Sequence, residues 1–481
     1  MKKLLIGFLA VGLVMGFALT ASAQPNIKAS GQLYMYGTYA DNQTGLDESA
    51  KAASSLAGQS RANIANRLRM QFEIQVQEGL KLTTRFDALE RVWGENHVAN
   101  TPSPGATAWT GANAVTPERN ISWERAYVTF NALYGVFDVG YQASKNWGTC
   151  AFCDDFDSDA GIHYRYMMGP WTFGLEYEKR ADTNRSGEGS GQGGAQLGGT
   201  DNDHDIYHIF GIYRWTTGQA GLRWEMDRDA NSGKFGAGGA GLTRVAPYGT
   251  PLLDTVEWVS TFYELSPYVQ WNIGPFALES ELRYIWGETD YNGAQQDIDR
   301  KGWSFYAMGK YTMGAFYGGL EFAWITGDDP GTTDKNEAGV PGGQAWDPML
   351  IYGNFWNSKH QGVFGTGSPG GAISAGGGSE TNVKFFKPFV GWKVNPQLEV
   401  VAQFGWLKAD EKPLGYVSDD YYVSDDYGKE FDLYANYKIY NNLTYTVGFG
   451  YFWTGDYFKG DNAAIQVDDN YLVMNALNFV F

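Results

Sequence analysis

Little in this chain suits a soluble enzyme or a nucleic-acid partner. Cysteine is nearly absent, with Cys150 and Cys153 the two in 481 residues, so a disulfide-built scaffold is excluded. Histidine is scarce at five: His97, His163, His204, His208 and His360. His163 and His208 fall on expected strands, and no G-x-S-x-G or other nucleophile motif accompanies them, so the reading is not an enzyme. Basic residues are outnumbered, 36 against 54 acidic. Binding to nucleic acid is disfavoured, because phosphate neutralisation requires basic charge. No period of 20 to 50 residues with a fixed motif is visible, so a solenoid or propeller is unsupported. Beyond residue 19 no apolar run approaches the length of a membrane helix.

The early apolar run has its own explanation. Lys2 and Lys3 precede Leu4–Leu19, and Ala21-Ser22-Ala23 forms an A-x-A site. Residues 1–23 read as a cleaved secretory signal peptide, leaving one domain over 24–481. Loss of the two lysines leaves 36 less two, or 34, basic residues against 54 acidic, a net charge of −20.

Aromatics, by contrast, are abundant, at 16% of the chain, while charged residues are 19% and glycines number 63. This composition excludes general disorder. The aromatics sit in segments of period two. In "RLRMQFEIQVQ", Leu68, Met70, Phe72, Ile74 and Val76 share a face opposite Arg67, Arg69, Gln71, Glu73 and Gln75. In "WTFGLEYEKR", Trp171, Phe173, Leu175 and Tyr177 oppose Thr172, Gly174, Glu176, Glu178 and Arg180. "FALESELRYIW" and "NLTYTVGFGYFW" repeat the pattern. Such alternation is that of strands with one apolar and one polar face.

Between the segments, eight short turns alternate with nine long polar connections, the latter at roughly 41–60, 93–119, 147–159, 183–204, 229–256, 289–300, 327–380, 411–426 and 456–467. The spacing predicts an all-β, antiparallel transmembrane barrel of about eighteen strands, with sixteen as the alternative. Long loops lie outside the cell and short turns in the periplasm. Closure is obligatory, since an unpaired backbone group in hydrocarbon costs several kcal/mol. Trp93, Trp123, Trp171, Trp286, Trp303, Trp324 and Trp453 mark strand ends and suit interfacial girdles. The chain ends "NYLVMNALNFVF", placing Tyr471, Val473, Leu477, Phe479 and Phe481 on one face.

A barrel of this size leaves a channel. Arg67, Arg69, Lys81, Arg85, Arg91 and Arg125 occupy the polar parity of three adjacent strands and predict a basic wall, or else charges neutralised by Glu73, Asp87 and their neighbours. Two connections compete for the lumen. One is "WGTCAFCDDFDSDAG". The other is 327–380, with the apolar "MLIYGNFWN" at its centre. Both can act. Cys150 and Cys153 are expected as a local disulfide in an oxidising compartment. No cofactor is expected; Asp155, Asp157 and Asp159 form a weak calcium candidate, lacking the glycine and closing glutamate of a calcium loop.

In signal peptide, alternation, loop asymmetry and terminal Phe481, the sequence resembles Gram-negative outer-membrane porins of the general-diffusion type. The resemblance covers the whole mature chain and implies a place in the outer membrane among lipid and lipopolysaccharide. It implies that the last strand, with Tyr471, Phe479 and Phe481, is read by the outer-membrane assembly machinery. It also implies a homotrimer, for which outward glycines such as Gly309 and Gly319 would allow close packing. The third loop would fold inward, with Asp154, Asp155, Asp157 and Asp159 facing Arg67, Arg69, Arg85 and Arg125 across a constriction. The function so implied is passive passage of ions and small hydrophilic solutes. A channel dedicated to one oligosaccharide or organic ion, or an export conduit, is the alternative.

Overall fold

The computed structural model describes residues 25–41, 60–93, 121–144, 146–153, 158–182, 203–230, 258–291, 296–343, 346–353, 381–415 and 420–481. The signal-peptide expectation therefore lies outside the described residues. Among the described residues nineteen strands follow one another: β1 (Asn26–Asp41), β2 (Arg61–Gln77), β3 (Leu80–Val92), β4 (Ile121–Ala132), β5 (Gly135–Ala143), β6 (Ser158–Met168), β7 (Trp171–Asp182), β8 (Asp203–Trp215), β9 (Gly218–Asp229), β10 (Trp258–Ile273), β11 (Phe276–Tyr291), β12 (Ile298–Met313), β13 (Phe316–Ile325), β14 (Lys335–Asn336), β15 (Val383–Lys393), β16 (Leu398–Lys408), β17 (Asp426–Tyr440), β18 (Leu443–Thr454) and β19 (Asn470–Val480). β14 is a two-residue piece of a connection, pairing with β12 in parallel. The other eighteen pair antiparallel with their sequence neighbours, and β1 pairs with both β2 and β19. Eighteen strands close the barrel; sixteen do not.

The eight short turns fall where the sequence predicts, and both ends of the barrel-forming chain lie on the short-turn side. Spanning strands run from 9 residues in β5 to 17 in β2, enough for an apolar band about 25 Å tall. The seam is fully paired. Gln32 faces Val480 and Asp41 faces Tyr471 in register, and Phe481 exchanges backbone hydrogen bonds with Gly31 at 2.8 and 3.0 Å. The Phe479 and Phe481 rings stack at 5.4 Å on the outside.

Outward side chains are the apolar parity. Leu175, Leu222, Leu278, Leu320, Val390, Leu433 and Val447 are all exposed, which only hydrocarbon rewards over so wide a surface. Aromatic belts bound the band. Near the short turns, Trp171 and Tyr213 meet at 4.8 Å, Phe276 and Tyr311 at 4.7 Å, and Phe316 and Trp392 at 5.7 Å. Near the long connections, Trp303 and Trp324 meet at 4.4 Å and Tyr263 and Trp286 at 5.8 Å. One outward expectation is corrected. Gly309 faces out, whereas Gly319 pairs with Lys310 on the inward parity of Tyr317, Glu321 and Ala323 and lies against Phe389.

Candidate functional site: a lumen narrowed by two connections

Inward side chains divide the barrel wall into three sectors. The first is basic, across β2 to β4. Cross-strand register sets Arg69 opposite Asp87, Gln71 opposite Arg85, and Arg85 opposite Arg125. Arg69 grips Asp87 through two hydrogen bonds of 2.7 Å, and Arg67 approaches the same carboxylate at 3.7 Å. Two guanidiniums thus share one aspartate. Arg85 lies 3.9 Å from Glu124, and Lys81 pairs with Glu73 at 3.1 Å. These cations share one stretch of wall with acidic neighbours that partly neutralise them. Arg67 and Arg85 are buried, at 4% and 5% exposure. Arg91 lies on β3, and its side chain is outside the described residues.

The second sector, β6 to β11, is a row of alternating charge. His163 stands opposite Glu176, Glu176 opposite His208, and His208 opposite Glu225. His208 reaches Glu176 at 3.1 Å and Glu225 at 2.9 Å. Arg223 continues to Glu225 and Glu264, and Arg283 bridges Glu264 and Glu281 at 2.7 and 2.6 Å. Buried charges survive only when paired in this way.

The third connection, between β5 and β6, folds in against this sector. Trp147 packs on Phe210 and Tyr268 and donates from Nε1 to the Ser266 carbonyl at 2.8 Å. Thr149 donates from its amide and hydroxyl to Glu281 at 2.6 and 2.8 Å. Arg283 lies over the Phe152 ring. These partners sit on β8, β10 and β11, two to five strands along the wall from β6.

The third sector, β12 to β19 and β1, is inwardly apolar near its middle, with Tyr36, Ala323, Phe385, Leu407, Phe452 and Met474 buried together. The connection between β13 and β15 covers it. Met349, Ile351 and Tyr352 are buried in that cluster. Carboxylates on β17 hold its backbone: Glu430 accepts from the amides of Ile351 and Tyr352 at 2.6 and 2.9 Å, and Asp432 accepts from Leu350 at 3.0 Å. Trp346 donates to Glu321 at 2.8 Å, and Lys387 donates to the Pro348 carbonyl at 2.8 Å.

The two rival connections therefore both enter the lumen, and they meet there. The Gly343 amide donates to the Ala151 carbonyl at 2.8 Å. A Cβ at Gly343 would collide with the backbone of Cys153, so glycine is what permits the approach. On the short-turn side of this junction a cavity of about 310 Å³ opens, lined by Tyr306, Lys310, Lys387, Glu399 and Tyr434 among others.

Three finer expectations fare differently. Asp154, Asp155 and Asp157 lie outside the described residues, and with them most of the calcium candidate. Asp159 does not face the basic wall. It belongs to β6, where Arg180 of the adjacent β7 donates to it at 2.8 Å, because neighbouring strands bring those side chains together first. Cys150 and Cys153 lie side by side in the β5–β6 connection, with their sulfurs 2.6 Å apart, inside van der Waals contact, and Cys153 Sγ 3.1 Å from the Trp147 carbonyl oxygen.

No protein-family model and no curated protein matches the chain. Solved structures of similar shape include OccAB4 of Acinetobacter baumannii, at TM-score 0.49 and 10% identity over 95% of this chain and 99% of that one. OpdQ of Pseudomonas aeruginosa matches at TM-score 0.47 and 13% identity, covering 95% and 98%. The outer membrane channel DcaP of Acinetobacter baumannii matches at TM-score 0.41 and 12% identity, covering 96% and 99%. By its own closure, strand number, lipid-facing exterior and charged interior, the chain has the fold of a Gram-negative outer-membrane porin.

Proposed function

We propose that the protein is a passive outer-membrane channel for small hydrophilic solutes, exported by a cleaved leader. The observation that carries this reading is the lumen itself. Its wall bears Arg, Lys, Glu, Asp and His on the inward parity, and two inward connections narrow it by meeting at Gly343 and Ala151. A charged constriction passes hydrated polar solutes and rejects apolar ones, because an apolar solute cannot repay the desolvation of fixed charges. The acidic excess favours cations in the outer vestibule, while the arginine wall retains anionic groups locally.

The contact between the two inward connections favours a second reading, a channel selective for one class of sugar or organic ion. Planar-bilayer recording separates the two. Passive diffusion predicts ohmic, weakly cation-selective steps that a single solute leaves unchanged. Saturable block by one sugar or organic acid supports selectivity. A barrel that inserts without conducting contradicts both. The carboxy-terminal strand, with Tyr471, Phe479 and Phe481 outward, suits recognition by the assembly machinery. Lipopolysaccharide contact and a homotrimer belong to the same proposal.

A further inference from the structure

The charged row on β6 to β9 contains a group that passage of solutes does not require. His163, Glu176 and Glu178 present one nitrogen and two carboxylate oxygens all within 4.8 Å of one another. His163 Nε2 lies 3.1 Å from Glu178 Oε1, and its Nδ1 lies 3.7 Å from Glu176 Oε1. Both protein faces of the group are built by register. His163 stands opposite Glu176, and Glu178 stands opposite Gly161. At Gly161 a Cβ would come within 3.0 Å of His163 Nε2 and 3.4 Å of Glu178 Cγ, so the missing side chain keeps space at those two donors.

Glu178 is the most telling member. It is 1% exposed, and its Oε2 finds no hydrogen-bond donor among the described residues. A buried carboxylate oxygen left in that state is costly, because it has lost its water without gaining a donor. His208 reaches Glu176 from the far side at 3.1 Å and so orients that carboxylate toward His163. Such outer partners are what hold metal-binding carboxylates in place. Two glutamates flank one imidazole, a donor set of nitrogen and oxygen that suits zinc and its first-row neighbours better than calcium or magnesium. In tetrahedral zinc, donor atoms stand about 3.3 Å apart, close to the present separation of His163 Nε2 and Glu178 Oε1.

We infer that His163, Glu176 and Glu178 form a binding site for a divalent transition-metal ion such as zinc in the lumen wall, with His208 as the positioning residue for Glu176. Glu176 is the half-buried member and gives the ion its entry from the lumen. The ion would place positive charge beside the Trp147 connection and change the field of the pore. Binding can be read in any folded barrel, so its failure would leave the channel reading standing.

The test uses the untagged mature chain, stripped with chelator in detergent and titrated calorimetrically with zinc chloride, and with cobalt chloride for its visible absorption. One saturable zinc per chain is expected, with tetrahedral-type cobalt bands. Glu178→Gln, which keeps the side-chain shape, and His163→Gln should each weaken binding at least tenfold with unchanged far-ultraviolet circular dichroism. Zinc bound equally by the parent and both variants, or no saturable binding, would overturn the inference.

Discussion

At single residues, the closest tolerances lie at the seam and at the anchors of the inward connections. Gly31 pairs with Phe481, and a Cβ there would come within 2.6 Å of both the Phe481 ring and the Arg69 carbonyl. Gly31→Val should therefore hinder closure of β1 on β19, an overpacking cost of about 1–3 kcal/mol. Reduced yield of folded barrel and a lower unfolding midpoint in detergent would check this; an unchanged midpoint would count against the seam as described. Glu430 is a second such residue. Glu430→Ala leaves the Ile351 and Tyr352 amides without their acceptor, at about 1–3 kcal/mol each. We expect larger or noisier single-channel steps from a loosened constriction, with the barrel itself intact. Residues of this kind were hard to read in sequence. Glu430 and Asp432 are ordinary polar-parity acids of β17, and only the incoming backbone of 350–352 makes them anchors. Glu176 and Glu178 were visible on the polar face, and His163 and His208 on strands, but their alignment depends on cross-strand register that no single segment contains.

At the scale of elements, alternation is a local property and was readable. The turns at Gly169-Pro170, Gly274-Pro275 and Asn441-Asn442 separate strands whose two faces differ along their whole length. The routes of the long connections were not readable in the same way, because apolar content marks a segment as ordered without saying what covers it. The apolar "MLIYG" covers the inward apolar sector of β13 to β19, whereas the short third connection is held by Trp147, Thr149 and Phe152 against β8, β10 and β11. The segment after β13 offers a pH test. The Asp328 carboxylate accepts from the Glu337 amide at 3.0 Å. Burial, with the Glu337 and Asp329 carboxylates adding, pushes its pKa up from the usual 3.8 to about 6, although the Glu337 amide pulls it back. A folded value above the unfolded one means that the neutral acid is favoured by the folded segment. That contribution is fully present below about pH 4 and lost as pH rises through about 6. Hydrogen exchange of residues 326–339, corrected for its intrinsic pH dependence, should accelerate from pH 5 to pH 8. Glu337→Gln should shrink the change; equal protection at both values would refute it.

For the whole molecule, an exterior built of Leu, Val, Trp and Tyr and an interior built of paired charge make sense only as a closed cylinder between lipid and water. The most direct measurement is spin-label accessibility along β11, one label at a time from Leu278 to Ile285 in lipid vesicles. Leu278, Leu282 and Tyr284 should be reached by oxygen dissolved in the bilayer. Glu279, Glu281 and Arg283 should be shielded from it, giving a period of two. Uniform access to a water-soluble relaxant along the strand, or a chain that stays folded and monodisperse without detergent, would contradict the barrel and the pore together.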